Sequence, residues 1–394
     1  MSQPVAGSVR AILLRVVGYG ALLFVLVAMA HLYVTNPLYV KKIPYFVSAL
    51  RAGAEVQCDS SAPPELVRLL RRVSLPYFSL TGQVVFVGRD GKPVGCHVGN
   101  QPIEAFRFAS MTKVLTALTV LELAALQKID LHVPVITYFP EVNIDRASDP
   151  RVAKITLWQL LNHSSGLGGA FGSDNMIKQG EQPWCPYHIE ALEGVRLAGE
   201  PGTNHVYSNV AYCLAGEVIT RTAGTDYRTY VVENYLSNYE SLQFVQGGAY
   251  LPFEPDYDFS NDFRLDSDYV SWFDFYALAS SAGLMGRADE FALLVQKLFY
   301  RNPDVLNSGR TEPCKIGELE RCYSYTFRVM DTEQGAVGIQ QGYMPGASSL
   351  VAVNEQGEVL VWLAAGAALE GKHRNVMVAK VVSFLSNRKL SDPN

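Results

Sequence analysis

Ser110 and Lys113 stand three positions apart in FRFASMTKVLTAL (residues 106–118), a stretch that is otherwise almost wholly apolar. On a helix, residues i and i+3 lie on one face a turn apart, so the hydroxyl and the amine can meet. A serine hydroxyl is inert at neutral pH until a base takes its proton, and a lysine becomes that base when desolvation or a nearby cation lowers its pKa. An apolar helix supplies the desolvation. A helix N-terminus adds backbone NH groups that favour the oxyanion formed when the serine attacks a carbonyl. The expected chemistry is nucleophilic acyl transfer.

Spacing alone does not single this pair out, because Ser386 and Lys389 repeat it in the polar C-terminal tail. A second pair supplies context. In GEPGTNHVYSNVAYCLAG (residues 199–216), Tyr207 and Asn209 are two apart in a segment that leads into a helix. In extended backbone, that separation points both side chains the same way. The phenol can relay a proton to a leaving group, while the carboxamide holds the lysine and a substrate amide. Tyr300 and Asn302 share this spacing too, so the expectation rests on the combination.

The elements that must position these groups are legible around them. Gly82 to Val98 is two β-rich runs about Asp90-Gly91, and Ser348 to Leu363 repeats the design about Glu355 to Gly357; both read as hairpins. One antiparallel sheet built from the two ends of the chain would bury them. His373 to Leu385 has the apolar spacing of an amphipathic helix able to cover that sheet. Helical patterns occupy 112–128, 156–162, 209–222, 227–236 and 287–299, and the region from about 130 to 275 reads as a helical insert. Within it, the Tyr, Phe and Asp crowding from Phe253 to Phe275 is expected to form a long loop or substrate wall.

With 394 residues, of which 48% are hydrophobic and 18% charged, the chain can bury one large core. A net charge of -5 without a basic cluster gives no footprint for nucleic acid. Val16 to Ala30 carries no charge and follows Arg10 and Arg15. Ala28 and Ala30 would suit a signal peptidase, but apolar character continues on both sides to near the ~20 residues that cross a bilayer. Residues 1–40 are therefore expected to be an uncleaved membrane anchor rather than a cleaved signal. Residues 41–74 read as a linker with a short basic helix, and 75–390 as the catalytic body. The six cysteines show no zinc-binding spacing. An even number behind an export signal fits an oxidising compartment, where Cys314 and Cys322 could close a short loop; buried free thiols are the alternative. Nothing in the sequence fixes an oligomeric state.

Five blocks in order, FRFASMTK, ITLWQLLNHSSGL (155–167), PGTNHVYSNVAYCLAGEVI (201–219), SSAGLMGRADEF (280–291) and GYMPGASSLVAVN (342–354), resemble the serine β-lactamase and penicillin-binding-protein superfamily, in its class C-related branch of hydrolases, D-alanyl-D-alanine carboxypeptidases, D-amino-acid peptidases and esterases. The resemblance covers about residues 75 to 388. It implies an α+β fold, an antiparallel sheet flanked by helices with an all-helical subdomain inserted. It also implies Ser110 as acyl-accepting nucleophile, Lys113 as its activator, Tyr207 as proton relay and Asn209 as substrate holder. The backbone NH groups of Ser110 and Tyr343 would form the oxyanion hole. No metal or organic cofactor is implied, since the serine carries the covalent chemistry. His163 reads as a loop brace rather than a base, Ser164 and Ser165 as turn formers, and Gly283 as a point of close backbone approach.

The sequence departs from this family at its third element, a strand carrying Lys or His, then Thr or Ser, then Gly. Gln340, Gln341 and Gly342 occupy those positions, so the cation that reads a substrate carboxylate is missing, with Arg287 and Arg328 as candidate replacements. The expected function is an anchored serine hydrolase facing the periplasm. It would act on an amide, peptide or ester bond of a small molecule or peptide, with D-amino-acid or cell-wall peptides as the leading class. A small-ester carboxylesterase and a catalytically silent binding module of the same fold are the alternatives.

Overall fold

The computed structural model describes residues 6–35, 47, 50–74, 81–99, 105–168, 176, 181–248, 251–255, 272–310, 314–319, 322–344, 346–366 and 371–386. Helix α1 spans Ala6–Thr35, and its part from Arg15 to Thr35 is long and apolar enough to cross a membrane. Strand β1 (Val56–Cys58) and helix α2 (Pro64–Ser74) follow. The first hairpin comprises β2 (Thr81–Val87) and β3 (Pro93–Val98), and the second β9 (Ala347–Asn354) and β10 (Val359–Ala365), preceded by β7 (Arg328–Thr332) and β8 (Gly335–Met344). These strands form one sheet in the order β1-β3-β2-β10-β9-β8-β7, all pairs antiparallel. The two hairpins meet at β2 and β10, with Val361 opposite Val85, so the ends of the chain build the sheet as expected.

Alternation along the strands splits the core in two. Val85, Val87, Val351, Val353, Val361 and Leu363 face the helical layer. Val84, Phe86, Leu350, Ala352, Leu360 and Trp362 face the opposite side, where α2 and helix α8 (Gly371–Ser386) cover them. Every residue of β10 is buried, as a strand covered on both faces must be. In α2, Leu66, Leu69, Leu70 and Val73 point inward while Arg68, Arg71 and Arg72 stay in solvent. Part of the stretch expected to be linker thus belongs to the sheet and its cover: β1 is the edge strand, bonded to β3 by Cys58–Cys96. In α8 the buried face is Met377, Val378, Val381, Phe384 and Leu385, with Val376 exposed.

On the other side of the sheet lie α3 (Lys113–Ala125), α4 (Leu157–Leu161), α5 (Asn209–Ala223), α6 (Tyr227–Val231) and α7 (Ala288–Arg301). A small second sheet, unforeseen in the sequence, joins β4 (Phe106–Arg107), β6 (Leu284–Gly286) and β5 (Gln243–Phe244) in that order. Two-residue strands carry no periodic signal, so only their pairing reveals them. Helix α3 is buried almost all round, which explains why its sequence is apolar on every face. Cys185–Cys213 and Cys314–Cys322 complete the disulfides, and no described cysteine is free. Most of the aromatic and acidic stretch expected as a substrate wall, residues 256–271, lies outside the described residues.

Candidate active site

Ser110 sits in a single 3-10 turn, Ala109–Thr112, that precedes α3 rather than in the α-helix itself. Its neighbours Ala109, Met111 and Thr112 are buried, while Ser110 is half-buried. Ala109 adopts φ 48°, a left-handed conformation that costs an alanine about 1–2 kcal/mol. Such a conformation persists only where the surroundings over-determine it. Phe108 N donates to Leu284 O (2.8 Å), Ser349 Oγ to Phe108 O (2.6 Å), and Leu284 N to Thr112 Oγ1 (3.1 Å). Gly342 completes the fit, since a Cβ there would collide with Phe108 O and Ser349 Oγ and lie 2.9 Å from Met111 N. The turn is pressed directly onto β8, and only glycine allows it.

Lys113 is wholly buried. Its Nζ bonds Asn209 Oδ1 at 2.7 Å, Ser281 O at 2.9 Å and Ser110 Oγ at 3.2 Å. The first two partners are oxygens that only accept, so each takes an N–H. That leaves the third tetrahedral position of the nitrogen aimed at the serine hydroxyl. In the neutral amine this position holds the lone pair, which is where a general base needs it. The nitrogen also lies 4.9 Å from the Tyr207 ring centroid and 5.4 Å from that of Tyr212, within cation–π reach of both rings.

Tyr207 OH donates to Ser110 Oγ at 2.5 Å. Tyr207 and Asn209 flank Ser208, which caps α5 by accepting from Ala211 N at 3.0 Å. The cap fixes where the helix begins, and so the direction in which Asn209, its first residue, points. Cys185–Cys213 and the bond from Tyr212 OH to Leu161 O (2.7 Å) hold the same helix end.

His163 is buried, with φ 60°, and Nδ1 accepts from Ser208 N at 3.2 Å. Its ring lies 4.5 Å from Tyr207, 5.2 Å from Tyr212 and 4.7 Å from Tyr323, centroid to centroid. Burial, then the charges of Lys113, Arg328 and His205, hold its pKa well below the usual histidine range. The imidazole is neutral and packed behind the tyrosine, in keeping with a brace. Ser164 Oγ donates to Asn162 Oδ1 (2.6 Å), and Ser165 Oγ accepts from Leu167 N (3.2 Å), both local turn bonds. A Cβ on Gly283 would lie 2.7 Å from Ala279 Cα, the close approach expected there.

On β8, Gln340 is buried and its Nε2 donates to Ser110 O at 3.0 Å. Gln341 pairs with Leu350, Gly342 with Ser349 and Tyr343 with Ser348. Alternation places Gln340 and Gly342 on the pleat facing the serine turn, and the side chains of Gln341 and Tyr343 on the other. Gln341 is half-buried and Tyr343 exposed. Strand β7 pairs with β8 only as far as Ile339, so from Gln340 onward this edge of β8 has no strand partner among the described residues.

Of the two candidate replacement cations, the structure brings only Arg328 to the site. Its Nη1 donates to Gln340 Oε1 (3.3 Å), Nη2 to Tyr323 OH (2.5 Å) and Nε to Leu319 O (2.6 Å), and the guanidinium lies 4.6 Å from the Tyr323 ring centroid. Arg287 instead pairs with Asp289 (3.1 Å) and Glu290 (3.4 Å) at the start of α7. Sequence reasoning missed Tyr323 and the Ser281 carbonyl. No spacing signal marks Tyr323, whereas Ser281 lies in a block read only for its glycine.

An antiparallel sheet covered by helices on both faces is the fold of the serine β-lactamase and penicillin-binding-protein superfamily, and this chain belongs to it. The family model described as Beta-lactamase matches residues 79–243. The fimbrial assembly protein FimD, serogroup D, of Dichelobacter nodosus, so named, is 31% identical over 86% of this chain and 88% of that one. A D-amino acid amidase from Ochrobactrum anthropi SV3 superposes with a TM-score of 0.63 at 17% identity, over 82% of this chain and 97% of that one. A beta-lactamase/D-alanine carboxypeptidase from Yersinia pestis gives a TM-score of 0.56 at 16% identity, over 80% and 95%. The last two likenesses establish the fold.

Proposed function

We propose that this protein is a membrane-anchored serine hydrolase that forms an acyl-enzyme on Ser110 and cleaves an amide, peptide or ester bond, with D-amino-acid or cell-wall peptides as the leading substrate class. The observation that carries this reading is the Lys113 nitrogen, with two bonds committed to Asn209 Oδ1 and Ser281 O and its third direction on Ser110 Oγ. A binding module has no use for a lysine buried in that way beside a serine.

In the acylation step, Ser110 Oγ bonds to the substrate carbonyl carbon while its proton passes to Lys113. The carbonyl oxygen becomes an oxyanion facing the NH groups of Ser110 and Tyr343. As the tetrahedral adduct collapses, the bond to the leaving group breaks, and Tyr207 passes a proton to the departing nitrogen or oxygen. Water then attacks the acyl-serine, and the same proton path in reverse restores Ser110. Gln340 steadies the turn through the Ser110 carbonyl, and Gly342 admits it against the strand. The edge of β8 beyond Ile339, which has no strand partner among the described residues, is suited to an extended peptide, whose backbone can add to it as a further strand.

The apolar α1 and three disulfides support an anchor with the catalytic body outside the cytoplasm. Within the body, β1 and α2 go with the sheet, so the catalytic unit begins near Val56, with its helical insert at about 130–275. A fluorophosphonate probe tests the chemistry: it should label the wild type and not Ser110→Ala, with one adduct by intact mass. Labelling that survives the substitution removes Ser110 as the nucleophile.

The likeness to FimD favours a second reading, in which the same site serves fimbrial assembly by acting on a peptide segment of an exported protein. Complementing a deletion strain with wild type or Ser110→Ala, and scoring fimbriae alongside ester cleavage, separates a catalytic contribution from a scaffolding one.

A further inference from the structure

Of the two acceptors that orient Lys113, Asn209 is held by the cap and the disulfide near the start of α5. The other, the Ser281 carbonyl, belongs to the short helix Ala279–Ala282. A single helical turn is unstable unless its surroundings hold it. The preceding carbonyl, Ser280 O, accepts from Thr116 Oγ1 at 2.6 Å. Thr116 stands three positions after Lys113 on α3, so the two side chains leave one face of the helix. Together they grip successive carbonyls of the same turn.

Behind Thr116 lies a second hydroxyl, Tyr227 OH, at 2.7 Å from Thr116 Oγ1. The single hydrogen of the threonine is committed to Ser280 O, which only accepts. Tyr227 must therefore donate, and the chain runs from phenol to threonine to carbonyl. Thr116 is wholly buried and Tyr227 nearly so; burial pushes the phenol well above its usual range, which keeps its proton in place. Asp226 fixes where the tyrosine stands by capping α6, accepting from Thr229 N at 3.1 Å. Gly216 of α5 closes the other side, since a Cβ there would lie 2.7 Å from Ser280 Cβ and 3.6 Å from Tyr227 Cδ2.

We propose that Thr116, backed by Tyr227, is a positioning residue for the general base. By holding Ser280 O it sets where the next carbonyl, Ser281 O, stands, and so keeps the third direction of Lys113 Nζ on Ser110 Oγ. The assignment rests on the acyl-enzyme reading above and adds to it the device that aims the amine. A displaced Ser281 carbonyl would leave the lysine one acceptor short. That loss destabilises the ammonium more than the amine, and it turns the lone pair off the serine.

Fluorophosphonate labelling of Ser110 in the full-length chain, followed between pH 5 and 10, reads both effects. Thr116→Val should lower the plateau rate by about 10- to 100-fold. It should also move the acidic limb to lower pH, because Lys113 loses an acceptor that favours its charged form. Tyr207, Tyr212 and the neutral His163, the titratable groups around Nζ, remain in every variant. Thr116→Ser keeps the hydroxyl and should restore rate and limb together. Thr119→Val changes a buried threonine of the same helix that makes none of these bonds, and should alter neither. A limb that stays put in Thr116→Val overturns the assignment, as does a loss reproduced by Thr119→Val or left unrescued by Thr116→Ser. Where thermal melts show Thr116→Val unfolded, Tyr227→Phe decides in its place: a limb at lower pH upholds the assignment, and a wild-type profile overturns it. Absence of labelling in wild type sinks the acyl-enzyme reading instead. The pKa of Lys113 is then read by NMR of isotope-labelled lysine, its resonance identified by its loss in Lys113→Met. A value lower in Thr116→Val than in wild type upholds the positioning role, and an equal value overturns it.

Discussion

Asn209 Oδ1 accepts a hydrogen bond from Lys113 Nζ at 2.7 Å across 96 residues of sequence. The neutrality of that partner is as important as its position. A carboxamide fixes the direction of the amine without holding a proton on it, whereas a carboxylate would stabilise the ammonium and delay the base. Asn209→Asp should therefore move the acidic limb of the pH–acylation profile to higher pH, read as the rate of fluorophosphonate labelling between pH 5 and 10. An unmoved limb would mean that Lys113 is not the titrating group.

Tyr207→Phe removes the phenol that donates to Ser110 Oγ and leaves the ring packed against His163. Loss of a positioned proton relay should lower kcat by about 10²–10⁴-fold. The melting temperature should change little, because the packing stays. A variant within twofold of wild type in ester turnover would exclude Tyr207 from the proton path.

Two groups give opposite pH slopes to stability. His163 is held neutral, its pKa well below 6.5 when folded, so the unfolded chain binds the extra proton. Its contribution is present above about pH 6.5 and is lost as pH falls. Burial raises Glu217 from 4.5 to about 7. Here the folded state binds the extra proton, so its contribution is present below about pH 4.5 and is lost as pH rises toward 7. Urea titrations at pH 5 and 7.5 should show Glu217→Gln gaining relative stability at the higher pH, and His163→Phe losing part of the acid sensitivity of the wild type. The reverse signs would refute both assignments.

Just ahead of the nucleophile, Arg107 meets Glu254 in a buried bidentate pair, with Nε to Oε1 at 2.6 Å and Nη2 to Oε2 at 3.1 Å. Neutralising the carboxylate takes the counter-charge from a buried guanidinium that also meets the Gly248 carbonyl at 3.2 Å. Glu254→Gln should cost about 3–5 kcal/mol by urea denaturation, and a loss under 1 kcal/mol would show that the pair is solvated in solution.

Cys185–Cys213 closes a 28-residue separation and ties down the helix that begins at Asn209. Chain-entropy reasoning puts its contribution near ~3–4 kcal/mol. The double variant Cys185→Ala/Cys213→Ala should melt lower and acylate more slowly, since the Asn209 end of the helix loses its tether. Unchanged acylation in a destabilised variant would confine the bond to stability.

Local chemistry made much of this protein legible in its sequence. Asp90-Gly91 and the turn before Gly357 are hairpin signals that need no partner to be read, and the apolar spacing of α5 and α7 follows from helix geometry alone. Ser110 and Lys113 could be paired on paper because a helical turn fixes their separation, and Tyr207 and Asn209 because they bracket a cap. The tertiary structure decided what depends on distant segments meeting. The small sheet brings together Phe106–Arg107, Gln243–Phe244 and Leu284–Gly286, and β1 joins an edge through a stretch that reads as linker. Two of the three disulfides, Cys58–Cys96 and Cys185–Cys213, have no spacing signal. Arg328 looked no different from Arg287 along the chain, since both are single charges in ordinary surroundings. A strand register set Arg328 beside Gln340, and two neighbouring carboxylates claimed Arg287. Sequence fixes which groups exist and their local geometry, but a charge acquires its role from the groups that folding leaves around it.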